Sequence, residues 1–543
     1  LPTIAAGGAA LPSGMTFVPG TPGNGLLSGT PAVGGAGTYA ITFTASNGTA
    51  PNAVQNFTLT VNPASTTTAL TSATNPSVFG QSVTFTATVT PQGTGVPAGT
   101  VTFNDGATAI CSNVTLDGSA QATCTTSSLS TTTHSMTAVY AGNSSFTTST
   151  SPAVSQVVNK GNTTTAVTSS ANPANFAQSV TFSATVSATA PAAGTPSGTV
   201  TFKDGATTVC GPVALVAAAA TCATSTLTVG SHSITVDYAG DTNFNTSTSS
   251  ALNQVVNKTD TTNALVVAPV SPTVFGQSVA LTSTVAAVAP GGGVPTGSVT
   301  FLDGATSLGS GALNGAGVAT ASTTTLAVGT HSLTANYAAT TNYNASTSSP
   351  AISFVVNKAS TTASTPTSTP NPSVFGQSVT FSSTVSVTAP GAGTPTGSIT
   401  FKEGATTICT GTIAAGTASC SSSALTVGAH PVTATYDGDT NFLASSTSAA
   451  LTHNVNKANS AAVLVTSGTP SAFSSAVTFT VTLSASAPGV GTPSGTVTFL
   501  DNSVAIGTCT SVAVSAGVAS CTLSGASALA TGTHPITVSY GGD

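Results

Sequence analysis

Gln81-Ser-Val-Thr-Phe-Thr-Ala-Thr-Val89 alternates at every step: Val83, Phe85, Ala87 and Val89 fall on one face of an extended chain, and Thr84, Thr86 and Thr88 on the other. A period of two in β-branched and aromatic residues predicts a strand with one buried and one wet face. The same alternation recurs in Val200/Phe202 and in Ile234/Val236/Tyr238. The Asp-Gly that follows Thr-Phe-x reads as a two-residue hairpin turn, because it tolerates positive φ. Short strands separated by frequent turns predict a β-sandwich.

Working outward, the motif Phe-Gly-Gln-Ser-Val or a near variant places Gln81, Gln178, Gln277 and Gln377 at spacings of 97, 99 and 100, with Ser475 in the fifth place. Val-Asn-Lys ends at Lys160, Lys258, Lys358 and Lys457, spaced 98, 100 and 99. Val/Ile-Thr-Phe-x-Asp-Gly gives Asp105, Asp204 and Asp303, with Glu403-Gly404 and Asp501-Asn502 as variants. Three markers in one register predict five tandem domains, each the length of one immunoglobulin-type sandwich. Their bounds are read as 64–160, 161–258, 259–358, 359–457 and 458–543. The fifth stops at Tyr540-Gly-Gly-Asp543 and is expected to lack its last strand.

Residues 1–63 do not follow this repeat. Leu11-Pro-Ser-Gly-Met-Thr-Phe17, Leu26-Leu-Ser-Gly-Thr-Pro31 and the alternating Tyr39/Ile41/Phe43 read as a different β module, cut at its start. The chain begins at Leu1 with no charged-then-apolar leader, as expected of a mature fragment. Junctions such as Lys258-Thr-Asp-Thr-Thr carry no long Gly/Ser or Pro tract. The expectation is therefore an all-β chain of tandem immunoglobulin-like sandwiches forming an elongated, semi-rigid rod, on the order of 200 Å long.

Composition narrows the function. Of 543 residues only 3% are charged, the formal charge is −6, and no basic stripe exists to neutralise phosphates, so nucleic acid is not an expected partner. No apolar run approaches the ~18 residues of a membrane helix, so membrane insertion is not expected either. Trp is absent and aromatics are 5%, which makes each core thin.

The combination of Pro-Ser-Gly-Thr-Val-Thr-Phe-Lys-Asp-Gly (196–205), Val-Gly-Ser-His-Ser-Ile-Thr-Val-Asp-Tyr-Ala-Gly-Asp-Thr-Asn-Phe (229–244) and Val-Val-Asn-Lys258 resembles the bacterial immunoglobulin-like repeats of group 3. The opening segment resembles an immunoglobulin module found beside such repeats. The resemblance implies β-sandwiches, secretion, and roles in adhesion or spacing, and it implies no catalytic residue.

Eight cysteines fall in four pairs: Cys111/Cys124, Cys210/Cys222, Cys409/Cys420 and Cys509/Cys521. The third copy has Gly309 and Ala321 at the matching positions, so both cysteines are missing together, as partners would be. Each pair brackets the strand–loop–strand after the Asp-Gly turn, and an intradomain disulfide across a short hairpin is the favoured reading. Metal ligation and free thiols are the alternatives. With two Cys and one His per copy, a four-ligand zinc site is poorly served. Disulfides would imply an oxidising compartment.

His134, His232, His331, His430 and His534 occupy one repeat position, in phase with the core-facing row, and read as structural, hydrogen-bonded rings. Tyr140, Tyr238, Tyr337, Tyr436 and Tyr540 recur likewise and read as core rings whose hydroxyls bond to backbone, in the manner of a tyrosine corner. Asp-Gly-Asp-Thr-Asn (437–441) and Ala-Gly-Asp-Thr-Asn (239–243) read as Asx turns; calcium is the alternative. Glu403 is the only Glu, no Gly-x-Ser-x-Gly elbow occurs, and no catalytic, cofactor-binding or metal-binding residue is assigned.

The expected function is a non-catalytic, extracellular structural or adhesive stalk of a large bacterial protein, meeting a protein or glycan surface. One rival is a self-assembling filament in which copies complement each other's strands. The other is a spacer or carbohydrate-binding array of a secreted enzyme.

Overall fold

The computed structural model describes residues 1–543. Contacts divide the chain into two units: Leu1–Thr259 with Val288–Gly293, and Asp260–Ala287 with Val294–Asp543. The first unit holds the opening module and repeats one and two. The second holds most of repeat three, with repeats four and five.

The second repeat shows the plan. Its strands are β1 (Thr163–Ser169), β2 (Ala174–Asn175), β3 (Val180–Ala188), β4 (Thr199–Asp204), β5 (Thr207–Ala214), β6 (Ala219–Thr224), β7 (Gly230–Tyr238), β8 (Ser247–Thr248) and β9 (Leu252–Asn257). One sheet runs β1-β3-β6; the other runs β2-β9-β7-β4-β5, with β8 on β7. All pairings are antiparallel except the short β2–β9 bridge, in which Ala174 faces Val256. Two sheets face each other because each strand hides one row of side chains. Val180, Phe182, Ala184 and Val186 of β3 meet Val200, Phe202, Ile234, Val236 and Tyr238 in one core, while Thr181 and Ser183 face outward. Burying each such apolar side chain contributes roughly 1.5–3 kcal/mol.

Repeats one and three repeat this arrangement. In the fourth, Ile413 pairs with Ala418, and the two sheets join along one edge into a nine-stranded sheet. In the fifth, Ile536–Tyr540 pairs with Thr496–Asp501 and is the last strand of the chain. The opening module has a three-stranded sheet, Thr3–Gly8, Gly37–Ser46 and Ala53–Val61, beside a hairpin of Met15–Gly20 with Asn24–Gly29. Its Phe17, Phe43 and Phe57 stack with ring centroids 5.1 and 6.0 Å apart.

The hairpin turn sits one residue later than the sequence reading placed it. Asp204 pairs with Thr207 and Asp105 with Thr108, so Asp is the last strand residue and the turn consists of Gly-Ala. Gly205 takes φ +55, as expected of glycine at the first position of a type II′ turn. The shift leaves the aspartate side chain anchored on a strand, where it is available to a partner.

Candidate functional site

The recurring side chains of each repeat form three small assemblies. The first is the disulfide. Cys111 is bonded to Cys124, Cys210 to Cys222, Cys409 to Cys420 and Cys509 to Cys521, with Cα–Cα distances of 6.0, 5.9, 6.0 and 5.7 Å. The sequence reading set each pair across a hairpin. The chain instead leaves one sheet after β5 and enters the other at β6, so in the second repeat Cys210 and Cys222 staple the two sheets together. The first repeat has the same arrangement.

The second assembly links histidine to the hairpin. His232 Nδ1 donates to Asp204 at 2.7 Å and its Nε2 donates to the Thr228 carbonyl at 2.8 Å. His134 with Asp105, His331 with Asp303, His430 with Glu403 and His534 with Asp501 repeat this at 2.6, 2.7, 2.9 and 2.5 Å. At His232 both ring nitrogens face acceptor oxygens, an arrangement that favours the protonated ring. Burial alone would pull the His232 pKa down, but the Thr228 carbonyl, the Asp204 hydrogen bond and its charge outweigh burial and hold it above the ordinary value. His331 and His430 are raised against burial in the same way. His534 is raised chiefly by its bond to the Ala530 carbonyl. The pair ties the turn between β4 and β5 to the entry of β7.

The third assembly is the turn after the tyrosine, together with the preceding repeat's last residues. Asp241 Oδ1 accepts from the Asn243 and Phe244 amides, each at 2.8 Å, and its other oxygen takes the Ser197 amide and hydroxyl. Asp439 is held in the same way; burial opposes its charge, but the Thr396 hydroxyl and the surrounding amides bring its pKa down to about 2. These are Asx turns. Lys160, the end of the first repeat, donates to the Asp241 carbonyl, and Lys358 reaches the Asp439 carbonyl at 2.5 Å. The Phe-Gly-Gln-Ser loop completes the junction. Phe79 meets Phe244 edge-on with centroids 5.5 Å apart, and Phe275 meets Phe442 with the same separation. The Ala193 amide donates to the Phe79 carbonyl at 3.2 Å, as Ala392 does to Phe275 at 3.3 Å.

The tyrosine expectation holds at two positions: Tyr140 donates to the Ala98 carbonyl at 2.7 Å and Tyr337 to that of Thr296 at 2.8 Å. At Tyr238, Tyr436 and Tyr540 no such bond to a backbone carbonyl forms; there the buried hydroxyl lies against the turn carboxylate, with the Thr396 and Ser494 backbone beside the latter two. In these repeats the turn residue is Asp241, Asp439 or Asp543. Burial, then the nearby Asp241 carboxylate, pushes the Tyr238 pKa far up.

The bacterial Ig-like domain (group 3) family matches residues 70–159, 167–257, 265–357, 366–456 and 464–543. The chain belongs to this family. Ahead of the five group 3 domains, residues 2–62 match the family described as Putative Ig domain. Among solved structures, the group 3 array is similar to a tetra-tandem repeat in the extending region of a large adhesion protein: 18% identity, 72% of this chain, 99% of that one, TM-score 0.32. It is similar to an Escherichia coli adhesin at 16% identity, covering 53% and 96%, TM-score 0.20. Domains A168–A170 of titin match at 13% identity, covering 53% and 99%, TM-score 0.26. No curated protein matches the chain.

One group 3 feature escaped the sequence reading. Cross-strand from the histidine stand Gln156, Gln254, Phe354 and His453, all buried. Gln254 accepts from the Ser169 hydroxyl at 2.6 Å and donates to the Ala171 carbonyl at 2.8 Å. His453 lies between the Ser368 and Ser373 hydroxyls at 3.0 and 2.9 Å, and burial, then the charge of His430, lowers its pKa. The available signal is parity: Gln156 shares its strand face with buried Val158.

Proposed function

We propose that this array is a non-catalytic extracellular stalk that spaces or displays other parts of a larger bacterial protein and meets a protein or glycan surface. The observation that carries the reading is the repeated junction: within each unit, phenylalanine meets phenylalanine at 5.5 Å, and lysine and backbone amides add bonds across it. A spacer needs the same seat between neighbours each time, because flexible linkers would let its reach collapse. Four disulfides support an oxidising, extracellular setting, since such bonds persist there and are rare in the cytosol. Small-angle scattering on the intact chain and on chains shortened by whole repeats tests the proposal. A stalk gains a constant length per repeat. A compact particle, or a mass of several chains under the same conditions, overturns it in favour of a packed or self-assembling protein.

A further inference from the structure

The repeats supply their own alignment, and the junctions can be compared inside one chain. The residue after the junction phenylalanine is Gly80, Ala177, Gly276 or Gly376. The residue two after the loop proline of the following repeat is Ala193, Gly292, Ala392 or Val490. Wherever the first is glycine the second carries a side chain; where the first carries a methyl the second is glycine.

The geometry gives a physical reason. Gly80, Gly276 and Gly376 lie at φ +74, +78 and +76, where their α-carbons face the neighbouring loop. A methyl on Gly80 would enter the Ala193 carbonyl and lie 2.7 Å from its carbon; on Gly276 it would lie 2.7 Å from the Ala392 carbonyl carbon, and on Gly376 2.6 Å from the Val490 oxygen. Real carbon atoms do not approach that closely. Backbone strain is not the whole obstacle, since Ala177 and Ser474 hold φ +60 and +67 at the same loop position.

Ala177 keeps its methyl because the facing loop takes another course. That loop is Gly291-Gly292-Gly293 and falls within the segment Val288–Gly293 that groups with the first unit. Gly293 turns at φ +78, whereas its counterparts Gly194, Gly393 and Gly491 turn at +119, +122 and +128. The junction bond survives, with the Gly292 amide 3.1 Å from the Phe176 carbonyl. A methyl on Gly292 would come within 3.3 Å of the Ala177 oxygen and 3.7 Å of its methyl.

We infer that positions 80, 276 and 376 are read by the loop of the following repeat, mainly by its backbone, so that glycine there determines whether the two repeats can be seated as they are. The loops at Ala193, Ala392 and Val490 leave no room for a β-carbon, while the Gly291-Gly292-Gly293 loop, on its other course, accommodates the methyl of Ala177. The partner this surface fits is therefore the proline-flanked loop of another repeat, and a repeat with alanine at this position fits only a loop of the third repeat's course. The inference stands whether or not the array serves as a stalk.

The test uses the intact chain, with amide hydrogen exchange read in the peptide that carries the Ala193 amide. Gly80→Ala is expected to speed its exchange by about tenfold or more while the core amides of β3 and β7 keep their protection. Gly276→Ala, read at the Ala392 amide, is expected to do the same, which covers the case in which a Gly80 variant unfolds its own repeat. Ala177→Gly removes a methyl that meets no such obstacle and is expected to leave exchange of the Gly292 amide within about threefold of the parent. Unchanged exchange at the junction amide in both Gly80→Ala and Gly276→Ala, or an equally large change in Ala177→Gly, overturns the inference.

Discussion

In the second repeat Cys210 and Cys222 join the two sheets, and Gln254 is buried among Ser169 and two carbonyls; in the third the same places hold Gly309, Ala321 and Phe354. The strand order is unchanged. A methyl on Gly309 would lie 3.9 Å from the Ala321 methyl, an ordinary packing distance, so the lost bridge leaves no misfit. One repeat is held by a covalent link and a polar network; its neighbour has no bond at the first point and buries Phe354 at the second. A sandwich of this kind needs its two sheets fastened, and the comparison shows that the fastening chemistry is interchangeable while the strand pattern is not.

The largest expected break in that comparison comes from Phe354→Ala. Phe354 is 1% exposed, and truncating a buried phenylalanine costs about 4 kcal/mol. Urea unfolding followed by hydrogen exchange should show the third repeat opening first, with the second unchanged. Next comes the covalent side. Each disulfide closes a loop of 11 to 13 residues, and losing one costs on the order of 3 kcal/mol. Reductant should therefore weaken repeats one, two, four and five and leave the third untouched. If the third weakens equally, fastening is not local to each sandwich.

A smaller effect sharpens the contrast in the other direction. Ser77 accepts a bond from Gln156 at 3.2 Å, and Ser373 is bonded to His453 at 2.9 Å. In the third repeat the counterpart Thr273 pairs with Val356, and its buried hydroxyl has no partner. Thr273→Val keeps the shape and removes the orphan, and is expected to stabilise the third repeat by about 1 kcal/mol, read as a shifted urea midpoint. The equivalent Ser77→Ala should destabilise the first repeat, because Gln156 loses a partner.

These differences bear on what a sequence exposes. Period-two alternation reports which face a strand buries, and Val83, Phe85, Ala87 and Val89 are all buried in the first core. Joint absence of Gly309 and Ala321's cysteine counterparts identifies partners without distances. The Asp204–His232 pair is hidden because Asp-Gly reads as the turn itself; only the strand register, with Asp204 opposite Thr207, frees the carboxylate. The role of Phe79 and Gly80 is hidden for a different reason. Periodicity speaks of a domain's own core, and these two residues are read by the next domain.

The smallest expected effect is a difference in pH response between repeats. His232 and His331 have pKa values raised in the folded state. Each therefore contributes stability that is fully present below the unfolded value of about 6.5 and is lost as pH rises through the folded value. The fourth repeat carries His430 with the same sign, but its cross-strand neighbour His453 is lowered by burial. His453 contributes stability present above the unfolded value and lost as pH falls through the folded one. Between pH 5 and 8, on the order of the span in which histidine titrates, repeats two and three should weaken only toward alkaline pH, and repeat four toward both ends. His453→Gln installs the residue that repeats one and two already use and should give the fourth repeat the one-sided profile. Urea midpoints measured repeat by repeat across this range decide it: an acid-side loss that persists in His453→Gln would mean the buried imidazole is not its source.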